Sequence, residues 1–151
     1  MKEQKSNPVR IRMESRSVNE AFARTAAGAY VMSFDPTLEE LNDIKTAVSE
    51  AVTNAIVHAY VDCIGEIVME LSTRGENGIC IRIADKGCGI ADVKQAMEPL
   101  FTTCSDAERS GLGFTMMQSF CDRVQVRSTP GRGTTVTLFK QLSARGSNEK
   151  G

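Results

Sequence analysis

A short acidic and glycine-rich segment at the end of a predicted strand constrains this chain most. Asp85 follows the apolar run Ile79–Ala84 and precedes Gly87 and Gly89 in an Asp-x-Gly-x-Gly pattern. Glycine adopts backbone dihedrals that are closed to other residues and lets the backbone approach a ligand closely. A carboxylate at this position can accept a hydrogen bond from an exocyclic amine such as adenine N6. An ordinary turn has the same pattern, so the segments around it decide its function.

Three polar residues upstream have the spacing of one helix face. Glu50, Asn54 and His58 follow each other at intervals of four residues, which places them side by side on a helix. The carbonyl oxygen of Asn54 suits Mg²⁺, which prefers oxygen ligands, and the carboxylate of Glu50 could orient or deprotonate a nucleophile. An amphipathic helix with a polar edge also fits this pattern. The apolar stripe beside the trio consists of Ile44, Val48, Ala51, Ala55 and Ala59.

Two further glycine-bearing segments follow. Ser110–Phe114 precedes a helical pattern that continues to Cys121. This predicts a glycine-rich turn at a helix N-terminus, where free N–H groups and the helix dipole favour phosphate. Pro130–Thr135 lies between the predicted strands Val124–Arg127 and Thr135–Lys140. A flexible helix start and an ordinary hairpin turn are the alternatives for these two segments.

Taken in order, the four segments resemble the N-box, the two glycine boxes and the terminal Gly-x-Gly-Thr of the GHKL superfamily, which includes gyrase, Hsp90, histidine kinases and MutL. The resemblance spans about residues 47–139. Ser49–Ala55, Pro99–Thr103 and Glu108–Phe114 are similar to one branch, the anti-sigma-factor serine kinases. The resemblance implies an α+β fold of the Bergerat type: a two-layer sandwich with helices on one face of a mixed, mostly antiparallel sheet, and ATP between the layers.

The resemblance also implies the chemistry of the site. It implies a protein-serine kinase that uses ATP and Mg²⁺, with Glu50 as the catalytic base and Asn54 as the metal ligand. It implies that Pro99–Ser110 forms a lid over the nucleotide. In the related kinases a basic residue often follows the threonine pair, whereas this chain has Cys104. The implied ATP-binding residues are Asn54, His58, Asp85, Gly87, Gly89, Ile90, Thr102, Thr103, Arg109, Gly111, Leu112, Gly113, Phe114 and Thr134.

The implied partners are two proteins. The first is a sporulation sigma factor that the chain binds and inhibits, and the second is an anti-anti-sigma protein that it phosphorylates on serine, acting as a homodimer. Two alternatives stay open: a non-catalytic binding module that uses ATP as a conformational ligand, and a general-stress sigma regulator of the same branch. A pure binder would not need the acid at Glu50. The sole histidine, His58, lies in the N-box, so a histidine kinase with a separate phosphoacceptor is not expected.

Length and composition predict one domain. A chain of 151 residues can bury a single core, and we expect it at residues 8–142, between flexible tails at 1–7 and 143–151. The net charge of −1 gives no indication of a basic surface that would bind nucleic acid. No apolar run is long enough for a bilayer and no signal peptide is visible. Five cysteines without CxxC spacing indicate free thiols, so we expect a cytoplasmic protein.

The remaining elements follow from local patterns. Val9–Met13 alternates and predicts a strand. Ser17–Glu20 and Thr37–Glu40 each have the capping-box pattern that opens a helix, and the first of these helices should run to about Met32. Glu66–Thr73 predicts a strand that pairs with the run ending at Ala84 through a turn at residues 75–78. A short helix is expected at residues 92–97.

The first helix has a predicted buried face and a predicted partner face. Its core stripe is Val18, Phe22, Ala26 and Ala29. Asn19 and Arg24 fall outside that stripe, and we expect them, together with Arg109, to contact a partner.

Overall fold

The computed structural model describes residues 7–60, 63–87 and 107–143, with side chains described from residue 114 onward in the last range. The predicted helix at 92–97, residues 99–106 of the predicted lid and nearly all of both predicted tails lie outside these ranges. The elements in chain order are strand β1 (Val9–Glu14), helix α1 (Val18–Met32), helix α2 (Leu38–Asn54), a π-helical turn (Ala55–Ala59), strands β2 (Glu66–Arg74) and β3 (Gly78–Asp85), helix α3 (Ala107–Phe120), and strands β4 (Arg123–Thr129) and β5 (Gly133–Gln141).

The strands form one five-stranded sheet in the order β1-β2-β3-β5-β4. Within the described ranges, each neighbouring pair is antiparallel, with Met13 opposite Ile67 and Ile83 opposite Val136. The predicted α+β two-layer class is confirmed, and the described part of the sheet is antiparallel throughout and not mixed. The hairpins β2-β3 and β4-β5 impose this direction, because a short turn can join only antiparallel strands.

The core lies between one face of the sheet and the helices. Side chains alternate along β2, so Ile67, Met69 and Leu71 are buried while their neighbours in sequence are more exposed. Val48 from α2 and Phe114 from α3 are among the fully buried side chains that pack against this face. The sheet and α2 therefore fix the end of β3, where Asp85 lies.

Helix α2 begins with the predicted capping box. The Thr37 Oγ1 accepts a hydrogen bond from the Glu40 backbone N–H at 3.0 Å, and the Glu40 Oε1 accepts one from the Thr37 N–H at 2.8 Å. Thr37 has extended backbone dihedrals, as an N-cap requires. The prediction for this helix start is confirmed.

Helix α1 ends at Met32 as predicted, but its predicted capping box and core stripe are wrong. Ser17 has helical dihedrals and makes no side-chain cap, so no capping box forms there. Val18 and Phe22 are 74% and 53% exposed, and the predicted stripe therefore faces outward at its start. The small residues Ala23, Ala27 and Gly28 are buried with Val31. A side chain at Gly28 would press on Lys45 and Leu41 of α2, so the small face brings α1 close to α2.

The predicted glycine-rich turn before α3 is also wrong. The helix begins at Ala107, so Ser110–Gly113 belong to it. Glycine costs about 1 kcal/mol within a helix relative to alanine, and the burial of Phe114 and Met117 further along α3 offsets this cost.

Candidate functional site

Asp85, the last residue of β3, is held by two backbone N–H groups. Its Oδ1 accepts hydrogen bonds from Gly87 at 2.9 Å and from Thr134 at 3.2 Å. Burial raises the pKa of the Asp85 carboxyl, and these two hydrogen bonds act in the opposite direction. No donor to Oδ2 is found in the described part of the chain. The carboxylate is therefore oriented through Oδ1, and none of the described residues competes with a ligand donor for Oδ2.

Two glycines make this arrangement possible. A Cβ at Gly133, where φ is +123°, would collide with the Asp85 carbonyl oxygen, so only glycine lets β5 approach the end of β3 this closely. A Cβ at Gly87 would collide with Ala59 of the π-helical turn. The predicted reason for a glycine here was close approach to a ligand, whereas the structure shows close approach to the protein's own backbone.

Asn54 ends α2 with an unsatisfied amide. The residue is 9% exposed, and neither its Nδ2 nor its Oδ1 has a hydrogen-bond partner in the described ranges. Buried amides rarely lack partners, and a bound ion or ligand is a common reason for an amide without one. The orphaned Oδ1 fits an oxygen ligand to Mg²⁺. The described residues contain no group of three or more His, Cys, Asp or Glu side chains suited to a metal.

The predicted helix face is only partly regular. Glu50 and Asn54 lie one turn apart on α2, and both are at least half-buried. His58 belongs to the π-helical turn Ala55–Ala59, whose wider winding rotates it relative to an α-helical i+8 position. The structure therefore places Glu50 and Asn54 on one face of α2, and His58 in the π-helical turn that follows Asn54. Single π turns inside helices are frequent at functional sites.

Tyr60, directly after the π-helical turn, connects the start of β2 with the residue that follows Asp85, and sequence analysis missed it. Its hydroxyl donates a hydrogen bond to the Glu66 carbonyl at 2.8 Å and accepts one from the Lys86 N–H at 2.7 Å. A Cβ at Gly65 would collide with the ring. Burial is the largest cause that raises the pKa of Tyr60. No local pattern marks such a residue, because its partners lie at the start of β2 and directly after β3.

Of the other predicted ATP-binding residues, Thr134 and Phe114 have described side chains, and both are buried. Thr134 is buried opposite Asp85 on β5, and its Oγ1 lies 2.7 Å from the Ser128 Oγ. Phe114 is 2% exposed and packs in the core. Helix α3 contains the backbones of Arg109, Gly111, Leu112 and Gly113, whose side chains lie outside the described residues. Four further residues lie outside the described ranges altogether: Gly89, Ile90, Thr102 and Thr103.

The two partner residues predicted on α1 have partners within the protein. Asn19 Nδ2 donates to the Glu14 carbonyl at 2.9 Å, and Arg24 Nε lies 3.0 Å from Glu20 Oε2. Arg24 is partly exposed, so its guanidinium is also accessible to a partner.

Known proteins resemble this chain closely. Residues 11–140 match the family described as "Histidine kinase-like ATPase domain". The anti-sigma F factor of Pasteuria penetrans is 50% identical over 141 residues, which cover 93% of this chain and 94% of that protein. The chain belongs to this family of anti-sigma F factors. The anti-sigma F factor of Bacillus subtilis strain 168 is 44% identical over 138 residues, 91% of this chain and 94% of that protein. The predicted family resemblance is confirmed.

Solved structures share the fold of this anti-sigma F factor family member. The RsbU and RsbW domains of Rv1364c from Mycobacterium tuberculosis align with a TM-score of 0.66 at 20% identity, over 89% of this chain and 32% of that one. The histidine kinase domain of Erythrobacter litoralis EL346 aligns with a TM-score of 0.53 at 25% identity, over 72% of this chain and 48% of that one. Within the described ranges, no helix has both the length and the apolarity to cross a bilayer.

Proposed function

We propose that this chain is a cytoplasmic anti-sigma factor and an ATP-dependent protein-serine kinase. It binds ATP with Mg²⁺, inhibits a sporulation sigma factor, and phosphorylates a serine of an anti-anti-sigma protein. The observation that carries the nucleotide site is the oriented Asp85 carboxylate together with the orphaned Asn54 amide. The names of the relatives support the sigma-factor partner.

Each residue has a role that its surroundings permit. Asp85 accepts a hydrogen bond from the adenine amine through Oδ2, since Oδ1 is already engaged. Asn54 offers Oδ1 to the metal that accompanies the triphosphate. When bound, Mg-ATP supplies the phosphoryl group. Glu50, half-buried one turn before Asn54 on α2, accepts the proton of the incoming serine hydroxyl.

The nucleotide site is tested by replacing Asp85 and Asn54. Asp85→Asn retains an oxygen for the Gly87 and Thr134 N–H groups, so the fold should persist. Its amide N–H would face the adenine amine, and losing the charge-assisted bond should weaken ATP affinity about 10- to 100-fold with or without metal. Asn54→Ala should weaken ATP binding only when Mg²⁺ is present. Isothermal titration measures both.

The matched control for this test is Asp122→Asn. The Asp122 Oδ2 also accepts a backbone N–H, from Gln141 at 2.7 Å, but next to the opposite end of β5. ATP affinity should stay at the wild-type value in this variant. Wild-type affinity in both Asp85→Asn and Asn54→Ala would show that the site is elsewhere.

The catalytic role is tested by Glu50→Gln, which keeps the shape and removes the charge. Nucleotide should still bind, while phosphate transfer to the anti-anti-sigma serine should fall about 10²–10⁴-fold, the usual contribution of a positioned general base. Glu39→Gln, at an exposed position in the first turn of the same helix, is the control. Single-turnover transfer of radiolabelled phosphate measures the effect. Transfer at the wild-type rate in Glu50→Gln would leave nucleotide as a conformational ligand and Glu50 as a structural residue.

The proposed assembly is a homodimer that uses α1. Val18, Phe22 and Met32 on this helix are large apolar side chains with more than half of their surface exposed. A second copy of the chain would remove this surface from water, with a gain of about 25 cal/mol per Å² of apolar area. Arg24 on the same helix, together with Asn19 and Arg109, is proposed to contact the protein partners.

A further inference from the structure

The face of the sheet opposite the helices has two halves with different charge balance. In the half formed by β1 and β2, arginines and glutamates pair across strands. Arg10 lies 3.0 Å from Glu70, and Arg12 lies 3.6 Å from Glu66. Arg82 on β3 also reaches Glu70, at 3.4 Å. The positive charges of this half are therefore balanced by neighbouring carboxylates.

The other half, formed by β3, β5, β4 and the end of β2 at Arg74, has arginines without such balance. Arg74, Arg123 and Arg127 are exposed, and none forms an ion pair with another described residue. A nearby carboxylate, that of Asp122, accepts the backbone N–H of Gln141 at 2.7 Å. This half of the face therefore has a local excess of positive charge, although the whole chain has a net charge of −1.

A cavity of about 220 Å³ opens on this half. Its floor is apolar: Cys80 and Phe139 are register partners on β3 and β5, and neither belongs to the buried core on the other face. The Phe139 ring lies against Gly78, where a Cβ would come within 3.0 Å of it. Arg74 and Arg123 flank the floor, and Gln125 and Thr137 complete the lining.

We propose that this cavity binds an acidic peptide segment of a protein partner, with an apolar side chain on the floor and a carboxylate at each flanking arginine. The cavity is smaller than the roughly 300–1,000 Å³ of small-molecule pockets, so one side chain suits it better than a cofactor. Guanidinium groups bind carboxylates in a bidentate manner. The surface lies on the opposite face of the sheet from Asn54 and the helices, so it is separate from the nucleotide site.

The spacing of the arginines fits an extended peptide. In the sheet register, Arg123 of β4 is opposite Phe139 of β5, and Phe139 is opposite Cys80 of β3. The next strand after β3 is β2, which contains Arg74. Three strand spacings, roughly 14 Å, separate the strands of Arg74 and Arg123, and Arg74 lies two residues, roughly 7 Å, further along the strand than the residue in register with Arg123. The two backbones are therefore roughly 16 Å apart, and an extended segment advances about 3.3 Å per residue, so carboxylates about five residues apart reach both arginines. The apolar side chain between them then lies over Cys80 and Phe139.

The test is a titration of the full chain, labelled with ¹⁵N, with a short synthetic peptide that has a leucine between pairs of glutamates. Backbone amide shifts should change at Cys80, Arg123 and Phe139, and a peptide with glutamines in place of glutamates should leave them unchanged. Replacing Arg74 and Arg123 together by glutamine should weaken peptide binding about tenfold, since two charge-assisted contacts are lost. The matched control replaces Arg10 and Arg12 by glutamine, which removes the same charge from the paired half of the same face and should change affinity less than about twofold.

Three results would overturn the proposal. The first is an absence of amide shifts on β3, β4 and β5. The second is equal weakening in the two double variants, which would mean attraction to the overall charge of the face. The third is tighter binding of a single-stranded oligonucleotide of matched charge at the same amides, which would assign the surface to nucleic acid. Competition with ATP separates this surface from the proposed nucleotide site, because ATP should not displace the peptide.

Discussion

Helices α1 and α2 begin with the same sequence pattern but differ in how they are held. At the start of α2, Thr37 is extended and exchanges hydrogen bonds with Glu40. At the start of α1, Ser17 is helical, and the Glu20 N–H bonds to the Ser17 carbonyl at 3.2 Å instead of its side chain. The Glu20 carboxylate pairs with Arg24. A capping-box pattern therefore produces a capping box only where the backbone of its first residue is extended.

The two helices also differ in how much the rest of the protein holds them in place. Lys140 of β5 donates to Asp43 of α2 at 3.1 Å, and the Ser143 N–H donates to Glu40 at 2.9 Å. The strands thus fix α2, which positions Glu50 and Asn54. Helix α1 buries a stripe of small residues and exposes Phe22. One helix suits a preorganised site, and the other suits a surface that a partner covers.

The largest effect that would test this comparison is the loss of stability caused by a substitution in the core. Ile44 of α2 and Phe22 of α1 both belong to predicted core stripes, but Ile44 is 2% exposed and Phe22 is 53% exposed. Ile44→Ala should lower the free energy of unfolding by about 2–5 kcal/mol, because it leaves a cavity. Phe22→Ala should change it by less than about 0.5 kcal/mol in the monomer. Chemical denaturation at low protein concentration measures both.

The same pair of variants tests the proposed dimer. If α1 pairs with a second copy, the cost of Phe22→Ala should grow with protein concentration, while that of Ile44→Ala should stay constant. An equal cost for the two variants at low concentration would contradict the structural difference between the helices.

The sequence predicted the elements that local patterns determine. All five strands were found from alternation or hairpin turns, and the stripe of α2 was found because large apolar residues such as Ile44 and Val48 define it. The buried stripe of α1 was not predicted, because it consists of small residues such as Ala27. A pattern of large apolar residues does not indicate where two helices approach each other closely. Tyr60 was missed for a related reason: its role depends on Glu66 and Lys86, which only the fold brings together.

A smaller effect is expected from the tyrosines near the ends of the two helices. The Tyr30 hydroxyl donates to the Asn7 carbonyl at 2.9 Å, whereas the Tyr60 hydroxyl bonds both Glu66 and Lys86. Tyr60→Phe should free the N–H beside Asp85 and weaken ATP affinity about 3- to 10-fold, the value of one hydrogen bond. Tyr30→Phe should leave ATP affinity unchanged. Titration calorimetry compares the variants, and equal loss of affinity in both would show that Tyr60 does not position Asp85.

The smallest effect is expected in the pH dependence of stability, where Glu20 and Glu40 occupy the same place in the two capping-box patterns but have different partners. The pKa of Glu20 is lowered from 4.5, chiefly by its hydrogen bond with Arg24, while partial burial raises it and Ser49 and the charge of Arg24 lower it further. For Glu40, partial burial raises the pKa, but hydrogen bonds with Thr37 and Ser143 outweigh it and the net pKa is below 4.5.

Both folded-state pKa values lie below the unfolded value, so each glutamate stabilises the fold above pH 4.5 and loses that contribution as the pH falls through its folded pKa. Glu20→Gln and Glu40→Gln should each flatten the loss of stability below about pH 5. Added salt should reduce the Glu20 contribution, because it depends on a partly exposed ion pair. Salt should leave the Glu40 contribution, because backbone N–H groups supply most of it. Thermal unfolding between about pH 3 and pH 6 at low and high salt distinguishes the two. Equal salt sensitivity would mean that the caps of α1 and α2 are electrostatically alike, contrary to their hydrogen bonds.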